Sequence, residues 1–228
     1  MEVNFLQSDR ILVISPHQDD ETIGCGGLLA LYGKQCDVLL LTDGRYGNIK
    51  QYKNTKELVE IRNKEFSKVM KMAKVNKFFM LNIENNKLYK HKKIVKNFDL
   101  SPYDYIFIPN RYEDQEDHKV VYKIVKSMPK TGKIYEYEVW TPLQRPSWFL
   151  DISKVIEKKK KMLLTYKSQQ EDKNYCDSTI GLNKYRGIYN NYKYAEAYSY
   201  SYYNRFTSSV YSILPQSIKN KIISIINK

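Results

Sequence analysis

The chemistry open to this chain is bounded by its imidazoles: His17, His91 and His118 are the three histidines among 228 residues. Two of them keep company with acids. His17 lies in Ser15-Pro16-His17-Gln18-Asp19-Asp20-Glu21, directly after the apolar run 11–14, and His118 closes Glu113-Asp114-Gln115-Glu116-Asp117-His118. Three successive carboxylates at a strand end repel one another and drive one pKa upward unless a cation or strong donors compensate. A divalent cation does so: His17 and one carboxylate ligate it, while a neighbouring carboxylate stays free to act as a base. Catalytic zinc takes three His or carboxylate ligands and keeps one position open. The third ligand must then come from elsewhere, and His118 is the candidate. Asp117 suits either a hydrogen bond to a ligating imidazole or a cap on the following helix. His91, within Lys90-His91-Lys92-Lys93, reads as a solvent-exposed residue of a basic stretch. Cys25, Cys36 and Cys176 are odd in number and lack CxxC spacing, which argues against a disulfide framework and a zinc finger.

For residues 17 and 118 to meet, the elements before them must end on one rim. The runs 11–14, 36–41, 78–81, 105–109 and 134–140 read as strands, and 21–34, 55–73 and 118–128 as helices. Strands separated by helices of this length make βαβ units, hence a mostly parallel sheet with helices on both faces. In such a sheet, ligands sit beyond the carboxyl ends of the strands. The segments after residues 14, 41 and 109 are therefore where chemistry is expected.

Composition narrows the class. Lys and Arg number 38 against 25 Asp and Glu, a net charge of +13, and 42% of residues are hydrophobic. This is the profile of a globular chain with one core. No apolar run approaches the roughly 18 residues of a membrane span. The first residues carry neither the basic nor the apolar region of a secretory signal, so a cytoplasmic location is expected. The charge alone invites a nucleic-acid reading. Stretches such as Glu157-Lys158-Lys159-Lys160-Lys161 read instead as a solvated helix face, and no aromatic-basic recognition module is present. Tyrosines crowd 185–203, suiting a polar-ligand surface, an interface or plain packing. The last residues place Ile218, Ile222, Ile225 and Ile226 on one helical face among lysines, a short basic amphipathic tail.

Pro16-His17-Gln18-Asp19-Asp20-Glu21, with Gly24-Cys25-Gly26-Gly27, resembles the PHPDDE…GCGG signature of the PIG-L/LmbE-like deacetylases, a family that removes acetyl groups from N-acetylglucosamine conjugates with zinc. The likeness runs along nearly the whole chain. Thr42-Asp43-Gly44 resembles the family's TDG, Arg62-Asn63-Lys64-Glu65 its RxxE helix, and Asp117-His118 the end of its HPDH segment. Asp151-Ile152-Ser153, Tyr166-Lys167-Ser168-Gln169, Arg186-Gly187 and Tyr194-Ala195-Glu196-Ala197 resemble weaker motifs toward the C-terminus.

The resemblance implies one Rossmann-like three-layer α/β domain over residues 1–206, followed by the basic tail 207–228. It implies Zn2+ held by His17, Asp20 and His118, with Asp19 as general base. Two departures stand out. Gln18 replaces the usual proline, a change of loop rigidity expected to be tolerated. Gln115 replaces the first histidine of HPDH; its amide can donate a hydrogen bond to an oxyanion but cannot shuttle a proton. Asp43 and Arg62 are expected to contact substrate, against a loop cap for Asp43 and an ion pair with Glu65 or Asp43 for Arg62. Cys25 is expected to pack the helix start. The expected activity is zinc-dependent N-deacetylation of an N-acetylated amino sugar. The alternative is a weak or inactive sugar-binding member of the fold. The positive charge fits an anionic substrate, and the tail favours lipid-linked material and a peripheral contact with the inner membrane face.

Overall fold

Buried strands flanked by helices organise the chain. The computed structural model describes residues 5–48, 52, 55–170, 174–201 and 215. The first strand, β1 (Ile11–Ser15), and the second, β2 (Cys36–Thr42), are buried at every position. Both faces are covered, so their sequences run apolar instead of alternating. Between them lies α1 (Asp20–Tyr32), and after them α2 (Thr55–Ala73), β3 (Lys77–Ile83), the short α3 (Lys92–Lys96), β4 (Tyr105–Pro109), α4 (Glu116–Ser127) and β5 (Lys133–Tyr137). The chain then adds β6 (Trp148–Asp151), α5 (Ile156–Leu163), α6 (Lys167–Gln170), α7 (Tyr175–Gly187) and β7 (Ala195–Tyr200).

The seven strands form one sheet in the order β3-β2-β1-β4-β5-β7-β6. Strands β1 to β5 are parallel, whereas β7 runs antiparallel to β5 and to β6. Alternate residues of β1 feed two cores. Ile11 and Val13 pack with Leu28 of α1, Phe66 of α2 and Met162 of α5. Leu12 and Ile14 pack on the other face with Val121 and Ile124 of α4. This is the expected three-layer, mostly parallel α/β arrangement. Its strand order reverses at β1, which pairs with β2 on one side and β4 on the other. A crevice opens at such a switch point; the loop that follows β1 carries His17, and the first turn of α4, which follows β4, carries His118.

Several boundaries shift for identifiable reasons. The strand expected over 134–140 ends at Tyr137 because the next amides leave the ladder: Val139, Trp140 and Thr141 all donate to the Glu113 carboxylate. The lysine run of α5 is not wholly a solvated face: Lys159 is fully buried. Of the tyrosine-rich segment, Tyr198 is a core residue of β7, while Tyr185 and Tyr189 are exposed. The amphipathic face of the tail, residues 218–226, lies outside the described residues. Among the described residues no helix is long and apolar enough to cross a membrane.

Candidate metal centre

Three acids in sequence leave the first loop in three directions. Asp20 turns inward, Oδ2 accepting the His17 backbone N–H at 2.9 Å and facing the His17 ring. Glu21 points behind the loop, where the Thr22 and Tyr166 hydroxyls each donate to it at 2.6 Å. Asp19 is held at φ 110°, a conformation rare for any side chain but glycine. There its carbonyl starts α1 by accepting the Thr22 and Ile23 N–H groups. Its carboxylate lies 3.7 Å from Nη2 of Arg62. Strain of this kind costs on the order of 1–3 kcal/mol and persists where surroundings enforce it.

His17 Nδ1, Asp20 Oδ2 and His118 Nε2 converge. The separations are 3.1 Å between His17 and Asp20, 3.0 Å between His118 and Asp20, and 3.3 Å between the two imidazole nitrogens. All three residues are buried. Each imidazole turns its far nitrogen to another carboxylate: His17 Nε2 lies 3.2 Å from Asp117 Oδ2, and His118 Nδ1 lies 3.6 Å from Glu113 Oε2. Two imidazoles backed by carboxylates, with a third carboxylate between them, form a donor set fitted to a divalent cation.

Electrostatics fit the same picture. Burial works against ionised Asp20, yet the two imidazoles hold its pKa well below the usual range. Burial would lower His118, but Asp20 and Glu113 overcome it and raise the imidazole to about 10. His17 is raised as well, Asp117 and Asp20 outweighing its burial. Asp19 is pushed up to about 8 by burial, against the pull of Arg62.

A cavity of about 190 Å3 opens beside the three ligand-type residues. Asp19 and Gln115 line it near His17, Arg62 and Gln169 line it from α2 and α6, and Trp140 and Tyr175 from the far side. Arg62 is anchored by donating to the Gly44 and Gln18 carbonyls at 2.9 and 2.7 Å; its acidic neighbour is Asp19, whereas Glu65 binds Ser168. Asp43 does not line this cavity. It accepts from Arg45 and from the Asn85 N–H, tying the loop after β2 to the one after β3. Gln18 is more than a loop-rigidity change: its amide donates to the Asp43 carbonyl and to Asn63 Oδ1 at 3.2 and 2.9 Å.

Two arrangements escaped the sequence reading. Glu113, fully buried, gathers the Val139, Trp140 and Thr141 N–H groups at 3.1–3.2 Å while facing His118. It thus links a cavity wall to the centre, and the signal was only its place in an acidic run. Glu196 accepts the Gly27 and Leu28 N–H groups of α1 at 2.6 and 2.9 Å, while Lys159 donates to the Ile23 carbonyl at 2.9 Å and to Glu196 at 2.6 Å. A buried ion pair is inserted in the hydrogen-bond ladder of α1. Gly26 and Gly27 make room for it: a Cβ on Gly26 would lie 3.0 Å from Lys159, and one on Gly27 would collide with Ile152. Cys25, just before them, is fully buried in the core.

A doubly wound sheet with this donor set at its switch point defines an α/β protein whose His17, Asp20 and His118 could hold a metal ion beyond its strand ends. The chain belongs to the PIG-L family, whose model, described as GlcNAc-PI de-N-acetylase, matches residues 12–128. Among solved structures it is similar to N,N'-diacetylchitobiose deacetylase from Pyrococcus horikoshii complexed with its inhibitor MPG, at 22% identity and TM-score 0.72, with 88% of each chain covered. It is similar to GalB, the 4-carboxy-2-hydroxymuconate hydratase from Pseudomonas putida KT2440, at 16% identity and TM-score 0.67, covering 88% of this chain and 98% of that one. It is also similar to the zinc inhibited form of teicoplanin deacetylase Orf2, at 14% identity and TM-score 0.59, covering 84% and 98%. At these identities the likeness is one of fold.

Proposed function

We propose that the chain is a metal-dependent hydrolase, with zinc as its cation, that removes the acetyl group from the nitrogen of an N-acetylglucosamine-type sugar. The observation that carries this reading is the convergence of His17 Nδ1, Asp20 Oδ2 and His118 Nε2 beside a cavity lined by Asp19. Family membership and two deacetylases among the similar structures support the reaction class. The hydratase among them is a reminder that fold alone does not fix chemistry.

His17, Asp20 and His118 would hold the cation. When bound it supplies Lewis acidity toward a carbonyl oxygen and makes water more acidic. Asp19, outside the three-residue cluster and in the cavity wall, takes the proton of the attacking water and returns it to the departing amine nitrogen. Arg62 orients the Asp19 carboxylate and favours its ionised form. Gln115 donates its amide N–H toward the oxygen that gains charge. Asp43 acts at one remove, fixing the Arg45 and Asn85 loops around the cavity.

The test is acetate release from a panel of N-acetyl sugars by zinc-loaded, chelator-treated and Asp19→Asn protein. Loaded protein is expected to release acetate and chelated protein to stop. Asp19→Asn is expected to bind zinc one to one while losing about 10²–10⁴-fold in rate. Sugar binding without acetate release would make the chain a binding member of the fold.

A further inference from the structure

The strained residue Asp19 has both of its flanking peptide planes held. Its carbonyl accepts the Thr22 and Ile23 N–H groups, each at 2.9 Å, which fixes the plane on the α1 side. The plane before it, between Gln18 and Asp19, is pinned at both ends. The Gln18 carbonyl accepts Nη2 of Arg62 at 2.7 Å, and the Asp19 N–H donates to Oε2 of Glu21 at 3.2 Å. With both planes held, φ and ψ have one value each, so the Cα–Cβ bond of Asp19 has one direction. Releasing the Gln18–Asp19 plane would let φ relax from 110° toward the negative values that side chains prefer. The carboxylate would then swing away from its place in the cavity wall.

Glu21 is a buried carboxylate with no part in the reaction as described, and its partners are neutral. Besides the Asp19 N–H, the Thr22 and Tyr166 hydroxyls donate to its Oε1, each at 2.6 Å. The Ser15 hydroxyl lies 3.3 Å from Oε2 but gives its proton to the His17 carbonyl at 2.6 Å. Tyr166 is thus the partner that arrives from a distant part of the chain, the turn between α5 and α6. Two residues further on, Ser168 donates its N–H and its hydroxyl to Glu65 at 3.0 and 2.6 Å. Glu65 lies on α2 nearly one turn after Arg62, which pins the other end of the peptide. The segment 166–168 therefore reaches the Gln18–Asp19 peptide by two routes. Tyr166 acts through Glu21 on its N–H, and Ser168 acts through α2 and Arg62 on its carbonyl.

We propose that Tyr166, acting through Glu21, is a positioning residue that holds the Asp19 carboxylate in its working direction. The proposal rests on the deacetylase reading above. Tyr166→Phe removes one hydroxyl and keeps the ring. In zinc-loaded full-length protein it is expected to lower kcat about 10–100-fold, with KM and zinc affinity within about twofold of the unaltered protein. Tyr198→Phe removes a buried tyrosine hydroxyl from another carboxylate, that of Glu196. It is expected to cost comparable stability and leave kcat unchanged, which separates positioning from loosened packing. Glu21→Gln keeps an oxygen for the Asp19 N–H and can turn its NH2 group toward the Tyr166 oxygen. It is expected to lose less kcat than Glu21→Met, which has no acceptor of that strength. Amide hydrogen exchange at Asp19, followed by NMR, reads the link without turnover. It is expected to quicken in Tyr166→Phe and to stay unchanged in Tyr198→Phe. An unaltered protein that releases no acetate defeats the deacetylase reading, and the exchange rate alone then decides whether Tyr166 holds position 19. Full kcat in Tyr166→Phe, or an Asp19 amide that exchanges no faster, overturns the proposal. So does a loss of kcat shared by Tyr198→Phe or matched by a loss of zinc affinity.

Discussion

A carboxylate stands behind each imidazole of the centre, and the two have different second tasks. Asp117 also accepts the Asn86 N–H at 2.7 Å, so it steadies the loop after β3. Glu113 holds the amides of residues 139–141 and with them Trp140. Removing such a partner typically costs about 10–100-fold in metal affinity. Asp117→Asn and Glu113→Gln are both expected to weaken zinc binding by that factor in a chelator competition. Only Glu113→Gln is expected also to change the fluorescence of Trp140, one of two tryptophans. Equal fluorescence changes in both variants would contradict this division of labour. The meeting of His17 and His118 was legible in the sequence because few imidazoles exist and acids cluster beside them, whereas Asp20 was singled out among its acidic neighbours only by the family resemblance. Glu113 was not, since its meaning lies in amides 26 to 28 positions away. Asp43 was legible as a polar loop residue, but which way its carboxylate turns is decided by Arg45 and Asn85.

At the scale of elements, α1 is held by its surroundings as much as by its own ladder. The Lys159–Glu196 pair takes over the Ile23 carbonyl and the Gly27 and Leu28 N–H groups, and the Tyr198 hydroxyl donates to the same carboxylate at 2.8 Å. Stripping the cation leaves a buried carboxylate without its counter-charge, which costs about 3–5 kcal/mol. Lys159→Met is expected to lose that much stability in urea denaturation. Adding Glu196→Gln should recover part of it, making the double variant less unstable than the sum of the singles. Strict additivity would show that the two side chains act independently. The periodicity of 55–73 and the unbroken apolar run of β2 made those elements readable, and α2 has the expected bounds. Helix α7 has no comparable stripe, since Ile180 and Leu182 are scattered among polar residues, and its burial depends on α5 and β7. Lys159 looked like surface because its charge is visible in sequence while its partner is 37 residues away.

For the whole molecule, the centre couples acidity to folding. In the metal-free chain His118 titrates near 10 in the fold against an ordinary 6.5. The fold therefore holds this proton more tightly than the open chain does. The stabilisation is complete below about pH 6.5 and is lost as pH rises toward 10. A cation competes for the same nitrogen and needs it unprotonated. The Tm of metal-free protein is expected to fall across that window, and the gap to zinc-loaded protein to widen with pH. A gap that narrows would contradict this linkage. The strained backbone at Asp19 carries a last consequence, one for directed evolution. Its φ of 110° is a conformation that glycine adopts freely. The residue proposed as base thus sits where another residue would make the fold more comfortable. A library screened for heat resistance alone is expected to return glycine at position 19, with a higher Tm and no acetate release. Selection on stability without selection on turnover would then discard the reaction first and keep the scaffold.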